Sequence, residues 1–299
     1  MARSLKVTIV GPGSLGTSLA KALHHVGVPV AQIVYRSAES GRRAKRLAKE
    51  VDARAVQCER WLAESQSFAP PGQAGVFVSP LIWLCVGDSA IAATASAMAA
   101  GGTRNGTTVF HSSGAMTSDE LEPLRRAGAR VASVHPMMTF VRSSTPSMKG
   151  VPFALEGDQT AVSMARTIVR RLGGESFAIQ KKDKPLYHAL GAFVSPLIIA
   201  QMATVERIGR ELGLKARQTR RTVAPILQQT IRNYIAHGPA AAFSGPMVRG
   251  DAETVRKNLS ALKRVRGAEE IYRALARVAV EELPSKNPGA VKKAIKKSE

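Results

Sequence analysis

The feature that most constrains this chain is a glycine-rich loop between a strand-like run and a helix-like run. Lys6–Val10 is rich in β-branched residues, and the pattern G-x-G-x-x-G follows it at once over residues 11–16. After the loop, apolar residues recur at helical spacing on one face, at Leu15, Leu19, Leu23 and Val26. A strand, this loop and an amphipathic helix in that order predict the opening of a βαβ unit that can hold a phosphate group.

Each glycine of the loop has its own task in such a turn. Gly11 permits the tight turn, Gly13 lets the backbone approach a pyrophosphate, and Gly16 lets the helix pack closely on the sheet. Ser14 and Leu15 stand at the helix N-terminus, where unpaired backbone N–H groups attract phosphate oxygens. The alternative is a glycine turn in an α/β protein that binds no nucleotide. The strand and helix around the motif favour dinucleotide binding.

The end of the second predicted strand, Val30–Tyr35, indicates which dinucleotide would bind. A site for NAD usually carries Asp or Glu there, bound to the ribose 2′-hydroxyl. Here Arg36 and Ser37 follow the strand, so a guanidinium group and a hydroxyl would meet a 2′-phosphate. We therefore predict NADP(H) as the cofactor.

The helix predicted over Ala38–Glu50 carries further cations. Arg42 or Arg43 would add a second contact to the 2′-phosphate. In the alternative interpretation, the basic residues of 42–46 form a solvated helix face and Glu39 binds the ribose.

Strands and helices alternate over the first 180 residues. The predicted strands are Lys6–Val10, Val30–Tyr35, Trp83–Val86, Thr107–Phe110, Arg130–Val134, Pro152–Leu155 and Ser176–Ile179. Such alternation predicts an α/β fold, a doubly wound, largely parallel sheet of the Rossmann type.

The pattern changes after this region, since Pro185–Leu283 shows only helical periodicity. It predicts helices over 184–213, 216–237 and 251–282, the last divided near Gly267. We therefore expect a dinucleotide-binding domain over 1–180, an all-helical substrate and dimerisation domain over 181–283, and a frayed basic tail over 284–299.

Composition excludes several classes of protein. The chain has 299 residues and a formal net charge of +21, but its basic residues are spread along it and aromatics are only 5%, so we expect no nucleic-acid partner. Two cysteines, Cys58 and Cys85, exclude a disulfide scaffold and favour the cytoplasm. The best apolar stretch, Ala189–Thr204, is interrupted by Ser195 and Pro196, so we expect no membrane partner.

Polar side chains follow several of the predicted strands. Val86 and Gly87 end the strand at Trp83, and we expect their backbone to pass the cofactor. Ser112 and His135 follow later strands at the same sheet edge, where they could orient a substrate. The alternative for each is ordinary turn chemistry.

Two further candidates stand at the start of the helical region. Lys184 and His188 are four residues apart, hence on one helix face. Either could donate the proton that accompanies hydride transfer to C=O or C=N. The alternatives are an exposed lysine at a helix start and a half-buried packing histidine.

Five segments together resemble one known family: GPGSLG, HSSGAM, SVHPMMTF, KPLYHALG and GPMVRGDAETV. Over about residues 5–283 the chain resembles Rossmann-like proteins with a C-terminal helical domain of unknown function. These are similar to pyrroline-5-carboxylate reductases and to NADP-binding, coenzyme F420-dependent oxidoreductases. The resemblance implies an NADP-linked oxidoreductase fold and a homodimer through the helical domain, without a particular substrate.

Two positions qualify this resemblance. Lys184 and His188 resemble more distantly the Lys-x-x-x-Asn pair of β-hydroxyacid dehydrogenases, in which the lysine donates the proton; here His188 replaces the asparagine. Pro196 follows Ser195 where the closer family tends to have asparagine, which alters any ligand contact made there.

The sequence thus predicts an NADP(H)-dependent oxidoreductase that transfers hydride to or from a small carbonyl or imine compound. His188 or Lys184 would be the general acid, and Ser112 and His135 would orient the substrate. The alternative is a non-catalytic NADP-binding sensor or scaffold protein.

Overall fold

The computed structural model describes residues 5–67, 79–101, 106–142 and 144–296. The chain divides into two compact units, Met1–Phe193 and Val194–Glu299. This division falls later than the domain boundary expected near residue 180. The helix that begins at Lys184 therefore belongs to the first unit.

The first unit is built on one eight-stranded sheet. Its strands are β1 (Val7–Val10), β2 (Val30–Tyr35), β3 (Arg54–Gln57), β4 (Leu81–Leu84), β5 (Thr108–His111), β6 (Arg130–Pro136), β7 (Pro152–Gly157) and β8 (Glu175–Ala178). They lie in the order β3-β2-β1-β4-β5-β6-β7-β8. All neighbouring pairs are parallel except β6 and β7. The strand order reverses between β1 and β4, which confirms the predicted doubly wound α/β sheet.

Helices cover this sheet. They are α1 (Ser14–His25), α2 (Ala38–Glu50), α3 (Cys58–Ser67), α4 (Asp88–Ala100), α5 (Glu122–Arg126), α6 (Gln159–Arg171) and α7 (Lys184–Val194). β2 and α2 have the bounds predicted from the sequence. The sequence pattern does not identify β3 or α3, since Val56 is the one fully buried residue of β3.

The central strands are buried on both faces, so neighbouring residues enter different cores. Ile9 packs into one apolar cluster and Val10 into the other; Trp83 joins the first, whereas Ile82 joins the second. Continuous apolar strands of this kind belong to parallel sheets covered on both sides. The carboxyl ends of β1, β2, β4, β5 and β6 consequently meet at one edge, where the loops that follow them hold the candidate site.

The second unit is helical. It contains α8 (Pro196–Glu211), α9 (Ala216–Ala242), α10 (Pro246–Arg249), α11 (Ala252–Leu262), α12 (Ala268–Glu282) and α13 (Pro288–Ile295). The prediction of one helix over 184–213 is wrong. The chain leaves helical geometry at Ser195, because Pro196 has no N–H to continue the hydrogen bonds and opens α8 instead. The predicted helix end at 237 agrees with Gly238, whose φ of +76° is not helical.

The expectation of a frayed tail is also wrong for residues 288–295, while 297–299 lie outside the described residues. Val291, Ala294 and Ile295 of α13 are buried in one apolar cluster with residues of α11 and α12. The Asn287 side chain caps the helix by accepting a hydrogen bond from the Ala290 N–H at 3.1 Å.

The helical stretch Lys181–Glu211, found within the described ranges, is long and apolar enough to cross a membrane by length and composition. It contains the break at Ser195, so α7 and α8 are each shorter than the roughly 20 residues of a straight span. The expectation that this chain has no membrane partner stays a prediction.

Candidate functional site

The turn between β1 and α1 requires glycine at two of its three motif positions. Gly11 has a φ of +102°, and a side-chain Cβ there would lie 2.6 Å from the Cys85 carbonyl oxygen. A Cβ at Gly16 would collide with the Gly11 carbonyl. These contacts let α1 begin close to β4, as the sequence pattern predicted.

Gly13 is different, because a Cβ added to it would meet no atom within 4 Å. It forms the N-cap of α1 without a side-chain hydrogen bond, and the first turn of α1 carries no acidic residue. The N–H groups at this helix end are therefore open to an anion. A glycine at position 13 is therefore not required by packing inside the protein, but it lets a ligand approach the backbone closely.

A cavity of about 310 Å³ opens beside this turn. Seven of its lining residues are predicted cofactor contacts: Gly11, Gly13, Arg36, Ser37, Arg43, Val86 and Gly87. Ser14 lines an adjoining cavity, and Leu15 packs on the core beneath. Sequence reasoning missed Cys58 and Thr94, which also line the first cavity and lie on helices distant from the motif.

The cavity wall is cationic. Arg36 and Arg43 line it, and none of the described lining residues is a carboxylate. The Arg43 Nη1 donates to Glu39 at 3.3 Å, but its Nε is buried with no hydrogen-bond partner among the described residues. The Ser37 hydroxyl is already used as the N-cap of α2, accepting from the Ser40 N–H at 3.2 Å. Arg43 is therefore the better candidate for a new anionic contact.

A larger cavity of about 480 Å³ shares Gly13 and Arg43 with the first. It also contains Lys21, Arg46 and Arg142 and one carboxylate, Glu50, which pairs with Lys21 at 2.7 Å and lies 3.9 Å from Arg46. The smaller cavity, with its glycine turn and no carboxylate, is the better candidate for a dinucleotide.

A buried polar cluster follows β5. His111 is fully buried, and its Nδ1 accepts a hydrogen bond from the Ser113 N–H at 3.1 Å while Nε2 contacts the Thr117 carbonyl at 3.0 Å. Burial, reinforced by the charge of Lys184, lowers the pKa of His111 to about 4. His111 is thus a neutral residue that shapes the loop.

Lys184 is the most deeply placed of the predicted catalytic residues, with a relative exposure of 0%. Its Nζ donates to the Ser113 carbonyl at 3.0 Å and to the Ser133 hydroxyl at 2.6 Å. Burial lowers the pKa of Lys184 to about 8, against the opposing influence of Glu156 and Asp88. Lys184 is therefore not the exposed helix-start lysine of the alternative interpretation.

His135 contacts Tyr187, a residue to which the sequence analysis assigned no role. Its Nδ1 lies 2.9 Å from the Tyr187 hydroxyl, and the two rings meet edge to face at 5.4 Å. Burial raises the pKa of Tyr187 to about 12, whereas burial and the Lys184 charge lower the pKa of His135 to about 4. The pair is a neutral imidazole with a protonated phenol.

The remaining predicted residues lie around the same loop. A Cβ at Gly114 would lie 2.9 Å from both His135 Nε2 and His188 Cδ2, so only glycine fits between the two rings. His188 is exposed. Ser112 accepts a hydrogen bond from Trp83 Nε1 at 2.7 Å and keeps its own proton to donate. Lys184, His135 and His188 thus meet around the loop of Ser113 and Gly114, and Ser112 precedes this loop. Tyr187 joins them, since it stands three positions after Lys184 on the same face of α7.

No group of three or more metal-ligating side chains occurs among the residues that the structure describes.

The strand order and the glycine turn define a Rossmann-like protein. A Rossmann-like domain model matches residues 1–136, and a model of a domain of unknown function, DUF2520, matches residues 151–279. The chain therefore combines a Rossmann-like domain with a DUF2520 domain, which confirms the resemblance found in the sequence.

Solved structures share this fold over nearly the whole chain. A proposed NADP oxidoreductase from Bacteroides fragilis has a TM-score of 0.74 at 22% identity, covering 93% of this chain and 99% of its own. A reductive aminase from Aspergillus terreus, solved with NADPH and ethyl levulinate, has a TM-score of 0.61 at 19% identity, covering 98% and 100%. A pyrroline-5-carboxylate reductase from Coxiella burnetii has a TM-score of 0.58 at 14% identity, covering 99% and 100%. No curated protein matches the chain.

Proposed function

We propose that this protein is an NADP(H)-dependent oxidoreductase that transfers hydride to or from a small carbonyl or imine compound. The observation that carries the proposal is the cationic cavity beside the glycine turn, which is lined by Arg36 and Arg43 and lacks a carboxylate among its described lining residues. The names of the structural neighbours, an NADP oxidoreductase, a reductive aminase and a pyrroline-5-carboxylate reductase, support the same class of reaction.

Different residues of the cavity would bind different groups of NADP(H). The open N–H groups at Gly13 and Ser14 would bind the pyrophosphate. Arg36 and Arg43 would bind the 2′-phosphate, which a carboxylate would repel. Bound NADP(H) would supply or accept the hydride, while the protein orients the reactants.

Reduction of C=O or C=N also consumes one proton at the oxygen or nitrogen atom. The Tyr187 hydroxyl is the group that we propose for this delivery, because His135 Nδ1 lies 2.9 Å from it and can hold its oxygen while the phenol proton stays available. Lys184 is less suited, since its Nζ is buried and already donates two hydrogen bonds. Exposed His188 beside Gly114 would exchange protons with solvent, and Ser112 would orient the substrate through its free proton.

We also propose a homodimer formed through the helical region. Large apolar side chains are exposed on the helices of each unit, among them Leu186 at 77% in the first and Ile226 at 70% and Ile235 at 75% in the second. Large exposed apolar side chains on helices are the kind of surface that a second copy of the chain could cover. Light scattering after gel filtration should give twice the mass of one chain.

Cys58 provides a test of the cofactor cavity that needs no substrate. It lines the cavity with Arg43 and is partly exposed, so iodoacetamide should modify it, slowly at neutral pH because burial raises the pKa of the thiol. NADPH should slow this modification in a concentration-dependent way, and the Cys58→Ser variant should lose the protected label. Unchanged labelling at saturating NADPH would oppose the assigned cavity.

A panel of carbonyl and imine compounds then separates an enzyme from a sensor. Substrate-dependent consumption of NADPH supports the oxidoreductase. Protection of Cys58 without turnover of any compound would favour the non-catalytic alternative.

A further inference from the structure

Lys184 joins two strands of the sheet through a single ammonium group. Its Nζ donates to the Ser113 carbonyl, which follows β5, and to the Ser133 hydroxyl, which lies within β6. The Ser133 hydroxyl also donates to the same carbonyl, at 3.3 Å. These three groups form a closed, fully buried triangle at the carboxyl edge of the sheet.

The triangle holds the loop that faces the proposed reacting groups. Ser113 also accepts hydrogen bonds from the Ala115 and Met116 N–H groups through its hydroxyl, so its position fixes the turn after His111. That turn places Gly114 between His135 and His188. A shift of Ser113 would therefore move the backbone against both imidazoles.

We propose that Lys184 is a positioning residue and not the proton donor: its buried ammonium group fixes the 111–116 loop through Ser113 and Ser133. This inference rests on the proposed function, in which Tyr187 delivers the proton. It assigns to the lysine a role different from the one that its sequence position suggests.

The charged and titratable groups around His135 are consistent with this role. Lys184, His188 and His111 oppose its protonation, and Asp88 favours it. After burial, the Lys184 charge is the largest of these influences. With His135 neutral, the tautomer that carries its proton on Nδ1 can donate to the Tyr187 oxygen, which leaves the Tyr187 proton free for the substrate.

Two variants separate charge from position in the protein without cofactor. In Lys184→Met, the NMR titration midpoint of the His135 imidazole should rise by about one pH unit, because a neighbouring positive charge is removed. In Ser133→Ala, which keeps the charge, this midpoint should stay while amide hydrogen exchange at Ala115 and Met116 becomes faster.

Unchanged exchange in Ser133→Ala would overturn the proposal, and so would an unchanged His135 midpoint in Lys184→Met, since the ammonium group would then not act beside the loop that meets His135. If Lys184→Met does not fold, the Ser133→Ala exchange rates still decide the positional claim. Since both measurements are made without NADPH or substrate, their failure is distinct from failure of the proposed function, which Cys58 protection and turnover test.

Discussion

The two halves of the candidate site differ in how far their polar groups are satisfied. At the glycine turn, the N-terminus of α1 is uncapped and the Arg43 Nε has no described partner. In the cluster after β5 and β6, by contrast, the polar groups of His111, Ser113 and Lys184 already have hydrogen bonds within the protein. The first region is organised to receive an anionic ligand, whereas the second is rigid before any ligand binds.

The largest expected effect is a loss of stability on substitution of Gly11, which contrasts with a loss of NADPH affinity on substitution of Gly13. Gly11→Ala should prevent folding or destabilise it by several kcal/mol, because its φ is +102° and the added Cβ meets the Cys85 carbonyl at 2.6 Å. Gly13→Ala should leave the melting temperature near that of the parent but weaken NADPH binding. Thermal unfolding and NADPH titration of both variants check this prediction. Equal losses of stability in the two variants would show that Gly13, like Gly11, is required for packing.

The buried histidines predict a loss of stability in acid. The pKa of His111 and of His135 is lowered from 6.5 to about 4 in the folded chain. Between these two pH values the unfolded chain therefore binds more protons than the folded chain. The stability is complete above pH 6.5 and is lost as the pH falls towards 4, by about 3 kcal/mol for each histidine. Urea unfolding at several pH values measures this slope, which His135→Gln should make shallower. A parallel slope in that variant would exclude His135 as a source.

Tyr187→Phe tests the chemistry assigned to the rigid cluster. Loss of the hydroxyl should lower kcat about 100-fold, the effect of removing a general acid, and leave NADPH binding unchanged. Phe177→Leu is the matched control, because Phe177 contacts the Tyr187 ring at 5.9 Å but offers no proton. A Tyr187→Phe variant with parental kcat would remove Tyr187 from the mechanism.

The same contrast explains how much of the site could be predicted from the sequence. Gly11, Gly13 and Gly16 lie within six residues, so a local pattern suffices to find the turn. The cluster joins groups that only the sheet brings together, such as Ser133 and Lys184. Its residues could be proposed one by one, but their hydrogen bonds could not.

The fold shows a similar limit. The alternation of strands and helices predicted the sheet. The single helix expected over 184–213 was wrong, because Pro196 has no N–H to continue the helical hydrogen bonds. The lysines of the tail indicated a frayed segment, whereas the spacing of Val291, Ala294 and Ile295 is that of a buried helix face. In the first case one missing N–H outweighed the helical pattern, and in the second the apolar spacing outweighed the charge of the lysines.

The most direct test of the central claim is the affinity of the protein for NADPH and for NADH, with Arg43→Ala compared with Arg46→Ala. Arg46 is the matched control, since it lines the larger cavity and not the one assigned to the dinucleotide. NADPH should bind more tightly than NADH, and Arg43→Ala should weaken NADPH by about 10- to 100-fold, the effect of one charge-assisted hydrogen bond, while NADH changes little. Arg46→Ala should change neither affinity appreciably. Equal or tighter binding of NADH by the parent protein would contradict the account.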